Sequence, residues 1–158
     1  MARPPARRPA GPRFDDFRAG EVFESYRRTV TEADIATFTG LAGLRLPIFL
    51  DDEYARAHSP FGSRIAPGFL TAALSAGMIE SVLGTDVIAG LAMDGFRFRS
   101  PVRIGDTLRA EIEIVEARPT SDGVRGVVTL AIRVLNQQDE VPLAYRASLM
   151  MHRRADPA

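Results

Sequence analysis

The chain is 158 residues long, 46% hydrophobic and 25% charged, which suits one globular domain with a full core. Its formal net charge of zero leaves no global field toward nucleic acid or an anionic membrane, and no apolar run reaches the roughly 18 residues of a membrane-spanning helix. All 20 basic residues are arginine and cysteine is absent, which excludes lysine Schiff bases, thiol nucleophiles, disulfides and thiolate metal sites and fits a reducing cytoplasm. Residues 1–13, MARPPARRPAGPR, lack the apolar core of a secretory leader and read as a disordered tail. Val22 to Val30 alternates as a first strand. Thr31, with Asp34 three residues on, makes a capping-box start for a helix running to about Leu41. Ile35, Phe38 and Leu41 or Ala42 form its buried stripe, and Gly43 ends it.

Leu44 to Leu50 contains Pro47 and reads as a loop. Asp51 to His58 is a short helix broken by Ser59-Pro60-Phe61-Gly62. Pro67 suits the first position of a helix and opens the longest apolar run, Phe69 to Leu83, closed by Gly84. Small residues at Ala72, Ala73, Ser75, Ala76 and Gly77 let a sheet approach that helix closely. Val87 to Val102 is a strand bent at Gly95, and Thr107 to Arg118 alternates clearly. Ser121-Asp122-Gly123 turns into Val124 to Leu135, Asn136 to Glu140 is the next turn, and Pro142 to His152 the last strand. Phe96, Phe98, Met78, Met93, Met150 and Met151 read as core. The fold class is α+β, one domain over residues 14–154 without internal repeat. His58 and His152 lack metal-ligand spacing, so neither a metal nor another cofactor is expected.

Two series of residues carry a family resemblance. The first is Phe38, Leu41, Gly43, Pro47, Ile48 and Asp51, continued by Tyr54, Ala55, Phe61, Gly62, Arg64, Ile65 and Gly68. The second is Phe96-x-Phe98-x-x-Pro101-Val102-x-x-Gly105-Asp106-Thr107-Leu108. Together they resemble the signature of MaoC-like dehydratases, which include (R)-specific enoyl-CoA hydratases, and the likeness extends over roughly Phe14 to Met151. It implies a hot-dog fold, a curved antiparallel sheet around a long central helix, with Leu44 to Leu50 crossing the interior. It further implies an acyl-CoA or acyl-carrier-protein thioester as ligand and a homodimer or a heterodimer with a MaoC-like subunit, with no nucleic-acid or membrane partner.

Where the family carries Asp, Asn and His, this chain has Leu44, Leu46 and Phe49. Leucine and phenylalanine move no protons, so the family's water activation has no residues to run on. The resemblance makes Gly68 the backbone donor to the thioester carbonyl, at a helix N-terminus where free N–H groups favour an oxyanion. Leu44, Leu46, Phe49, Phe61 and Pro67 are then the expected walls of an apolar substrate pocket. Arg45, His58, Arg64 and Asp94 are possible polar contacts. Each has a plainer alternative: a loop arginine, a surface histidine, an ion pair of Arg64 with Asp51 or Asp52, and a strand residue without a partner. Three functions stay open: a divergent hydratase, dehydratase, isomerase or cyclase of lipid or polyketide-like metabolism; a non-catalytic subunit of a dyad-bearing hydratase; and a thioesterase using Glu80 or Asp94.

Overall fold

The computed structural model of the protein describes residues 11–154. Two short strands, β1 (Val22–Glu24) and β2 (Arg28–Thr29), stand where one continuous strand was expected. The break falls at Ser25, whose hydroxyl accepts from the Ala110 N–H at 2.8 Å and donates to the Tyr26 carbonyl at 2.7 Å. A side chain thus takes over one rung of the ladder.

Helix α1 (Glu32–Ala42) starts as its cap predicts. The Thr31 hydroxyl accepts from the Asp34 N–H, the Asp34 carboxylate accepts from the Thr31 N–H at 2.8 Å, and Gly43 ends the helix in the left-handed region at φ 66. Its buried stripe is shifted from the expected one: Ile35 and Thr39 are buried, while Leu41 is 86% exposed. Thr39 tolerates burial because its hydroxyl donates to the Ile35 carbonyl at 2.8 Å.

The segment Leu44 to Leu50 does not cross the interior of this chain. It runs over the surface, and Pro47 begins a short helix, α2 (Pro47–Leu50), because proline at a first helical position forgoes only an N–H that has no partner there. Leu46 is consequently 59% exposed. Asp51 caps α3 (Asp52–His58) by accepting from the Tyr54 N–H at 2.9 Å.

The long helix α4 (Gly68–Leu83) is one residue offset from expectation, since Pro67 is its N-cap and Gly68 its first residue. It buries Leu70, Met78, Ile79, Val82 and Leu83, but its flank at Phe69, Ala73 and Glu80 faces outward. The remaining strands are β3 (Val87–Phe98), β4 (Thr107–Pro119), β5 (Arg125–Leu135) and β6 (Leu143–His152). They join β1 in one antiparallel sheet in the order β1-β4-β5-β6-β3, with β2 also on β4. The core lies between α4 and the inner faces of β4, β5 and β6, where Leu108, Ile112, Ile114, Leu130 and Leu143 are fully buried. Met78 and Met151 belong to it as expected, but Met93 and Phe98, on the edge strand β3, are about half exposed. Of the expected tail, residues 1–10 lie outside the described residues. Pro12 is buried and Arg13 pairs with Asp86 at 3.6 Å, so the docked chain begins before Phe14. Among the described residues no helix is long and apolar enough to cross a membrane.

Candidate functional site

A cavity of about 430 Å³ opens beside the first turn of α4. Three backbone hydrogen bonds draw its walls together from distant parts of the chain. The Ala66 N–H donates to the Val102 carbonyl at 2.7 Å, the Ile65 N–H to the Ile48 carbonyl at 3.4 Å, and the Arg99 N–H to the Pro142 carbonyl at 2.9 Å. The lining is chiefly aromatic and aliphatic: Phe49 from α2, Phe61 and Ile65 from the following loop, Phe69 from α4, and Phe98 and Val102 beyond. Among the described residues its polar side chains are Thr71, Arg99 and Ser100, and no carboxylate or imidazole lines it.

Gly68 has a steric reason to be glycine. A Cβ there would stand 2.7 Å from Cε1 of Phe98, whose ring lies over the start of the helix. Phe98 in turn meets Phe69 edge-on at 5.8 Å between centroids, and Phe96 stacks on Tyr145 at 4.8 Å. Among the described residues the Gly68 and Phe69 N–H groups donate to nothing, so the helix presents two free donors beside the apolar walls.

The sequence-derived residues divide. Phe49, Phe61 and Gly68 line the cavity, whereas Pro67 is buried behind it, Leu44 is half-buried outside it and Leu46 is on the surface. Arg64 is a clamp: its guanidinium donates to both Glu32 oxygens at 2.9 and 2.7 Å and to Asp52 at 2.8 Å, joining α1 to α3. The hydrogen bond from Arg64 holds the Asp52 carboxyl below its usual range, and the two carboxylates push the guanidinium pKa up. His58 stacks on Tyr54 at 4.8 Å in an exposed position, and Arg45 and Asp94 are exposed away from the lining. Glu80 borders a separate, smaller cavity of about 220 Å³ between α4, β3 and β6.

Sequence reasoning missed Thr71, Arg99 and Ser100, none of which belongs to a matched motif position. Ser75, read from the sequence only as a small residue of the long helix, shares a buried hydrogen bond of 2.7 Å with Tyr145. The Ser75 hydroxyl donates to the Ala72 carbonyl, so Tyr145 is the donor to Ser75, pinning α4 to β6. Burial pushes the Tyr145 phenol up, with the Ser75 bond opposing it.

Residues 16–135 match the family model described as the MaoC like domain. The chain belongs to the MaoC-like family. It is 34% identical over 149 residues to a 3-hydroxybutyryl-CoA dehydratase of Methylorubrum extorquens, a match covering 91% of this chain and 88% of that one. Among solved structures, the MaoC-like dehydratase of Rhodospirillum rubrum is 32% identical, covers 92% of this chain and 99% of its own, and superposes with a TM-score of 0.80. A double hot-dog protein of Mycobacterium tuberculosis, 26% identical, gives a TM-score of 0.83 over 94% of this chain and 46% of its own. This MaoC-like chain is therefore a single hot-dog domain, and it spans 41% and 42% of two longer curated relatives.

Proposed function

We propose that this MaoC-like protein binds acyl thioesters with the acyl group in the phenylalanine-lined cavity and the carbonyl at the free N–H groups of Gly68 and Phe69. In this reading it is a divergent relative of the hydratases and dehydratases rather than a working example of their water chemistry. The observation that carries it is the pairing of helix-terminal donors with an apolar cavity that, among the described residues, no carboxylate or imidazole lines. Such a site orients and polarises a thioester and has no group to deliver or remove a proton. Leu44, Leu46 and Phe49, standing where the family pattern has Asp, Asn and His, support the same conclusion.

Hydration of crotonyl-CoA by the purified protein tests it. Calorimetry is expected to show saturable binding of a saturated acyl-CoA, together with turnover far below a median enzyme's roughly 10 per second. Turnover near that rate would mean that other residues carry the reaction and that the substitutions at 44, 46 and 49 do not disable it.

A second reading, a non-catalytic subunit, is favoured by the edge strand β3, which exposes Ile88, Leu91 and Met93. An apolar open edge of that length is a surface for another strand. Co-purification with a dyad-bearing MaoC-like chain, and hydration only by the pair, would select it. The thioesterase reading gains nothing from the geometry, because Glu80 and Asp94 both lie outside the cavity beside Gly68.

A further inference from the structure

The two cavities beside α4 are successive stretches of one groove. Three elements pass them in the same order: α4 borders the larger with Thr71 and the smaller with Ala76, β6 does so with Leu143 and then Ala147, and β3 with Phe98 and then Met93. The strands agree in register as well, since Phe98 is paired with Leu143 and Met93 with Ala147. The groove is nevertheless interrupted. Ser75 on α4, Tyr145 on β6 and Phe96 on β3 occupy the interval between the two cavities, each on its own element.

These three residues close the interval from both sides. Tyr145 is buried and reaches the helix through its 2.7 Å hydrogen bond to Ser75. Phe96 lies parallel to the Tyr145 ring at 4.8 Å and to the Phe98 ring at 6.1 Å, so an aromatic stack runs from the wall of the larger cavity to the tyrosine. A bulge explains why Phe96 reaches it. Asp94 pairs with Arg146 and Arg97 with Ala144, which leaves Gly95 and Phe96 together opposite Tyr145 alone. Gly95 takes the left-handed φ of 66 that such a bulge favours, and the bulge re-aims the next side chain along the strand. Ring stacking on one side and the hydroxyl bond on the other hold Tyr145 across the groove.

Resting on the thioester reading above, we propose that Tyr145, held by Ser75 and backed by Phe96, is the length stop of the acyl site: it confines the acyl chain to the larger cavity and bars it from the smaller one. From Gly68, where the carbonyl is bound, to Ser75 the helix rises about 10 Å. With carbon–carbon bonds of about 1.5 Å laid in zigzag, that is the reach of roughly eight carbons. Short acyl chains are then covered along their whole length, and longer ones leave their last methylenes in water.

Calorimetric titration of the full chain with saturated acyl-CoA thioesters from butyryl to dodecanoyl, each below its micelle concentration, tests the stop. A methylene that leaves water is worth about fourfold in affinity, so wild type is expected to tighten stepwise to about octanoyl and then level off. Tyr145→Ala is expected to carry the rise on to dodecanoyl, binding that probe at least about tenfold more tightly than wild type does. Tyr145→Phe keeps the ring and is expected to keep the octanoyl limit. Adding Ala76→Phe to Tyr145→Ala fills the smaller cavity and is expected to restore the limit. A wild-type series still climbing at dodecanoyl would overturn the proposal, and so would a folded Tyr145→Ala variant that levels off where wild type does. Should Tyr145→Ala not fold, Phe96→Ala on the edge strand is read in its place, and an unchanged limit there overturns the stop equally. Failure of wild type to bind any thioester of the series would instead overturn the thioester reading itself, and the role of Tyr145 with it.

Discussion

β4 and β3 are long strands of one sheet, thirteen and twelve residues, and they are covered in opposite ways. On β4 the inward set Leu108, Ala110, Ile112 and Ile114 is wholly buried, with neighbours on both sides. On β3, which has only β6 beside it, Ile88, Leu91, Met93 and Phe98 are each at least 41% exposed, and the register slips three times along the pairing. Polar pairing follows the same division. Arg28 on β2, Arg109 on β4 and Arg133 on β5 are ion-paired, whereas Asp94 and Arg97 on β3 have no ion pair among the described residues. One side of the sheet is finished within the chain, and the other keeps apolar and charged groups available for something outside it.

The largest expected effect lies on the finished side. Ile112→Ala removes a fully buried side chain and should cost about 2–5 kcal/mol in urea denaturation, while Leu91→Ala, read at dilution, should stay within about 0.5 kcal/mol. Equal losses would erase the distinction. Next comes assembly: we expect a dimer joined along β3, so Leu91→Glu should yield monomer in sedimentation equilibrium, and Val115→Glu on β4 should not. A wild type that is monomeric at micromolar concentration would remove the interface. Smaller again is Tyr145→Phe, which deletes the donor to Ser75 but leaves the Ser75 bond to Ala72 intact. Its expected cost is about 0.5–1.5 kcal/mol, and a neutral result would mean that the buried pair does not fasten α4 to β6.

What the sequence made legible follows the same line. The cap at Thr31 and Asp34 and the alternation of β4 are local codes, read within a few residues, and both hold. The segment 44–50 departs from its sequence pattern because proline, which breaks the interior of a helix, opens one at position 47. Spacing puts Leu41 or Ala42 in the core, yet both are exposed and Thr39 is buried instead, bonding its own helix. The cavity was half legible. Phe61 and Gly68 sit at matched motif positions and Phe49 at one where this chain departs from the pattern, but Thr71, Arg99 and Ser100 meet there only because backbone bonds join residues 65–66, 99–102 and 142, and no local pattern announces such a meeting.

The smallest effect expected is a pH dependence on the finished side. Partial burial pushes the Asp34 carboxyl up, but the Thr31 N–H and hydroxyl and the Arg28 guanidinium, at 2.5 Å, outweigh it and hold the group below its ordinary 3.8. A carboxylate whose folded pKa is depressed adds stability that is complete above the unfolded value and is lost as pH falls through the folded one. The contribution of Asp34 is therefore whole at neutral pH, begins to fade near 3.8 and is gone in stronger acid. Asp34→Asn keeps the shape and much of the cap but cannot ionise. The stability gap between wild type and variant, followed by urea denaturation at a series of pH values, should be widest near neutrality and close on acidification. A gap that persisted unchanged below the folded value would mean that Asp34 acts through cap geometry alone, and that the ion pair from β2 to α1 adds nothing to the side of the sheet that is otherwise complete.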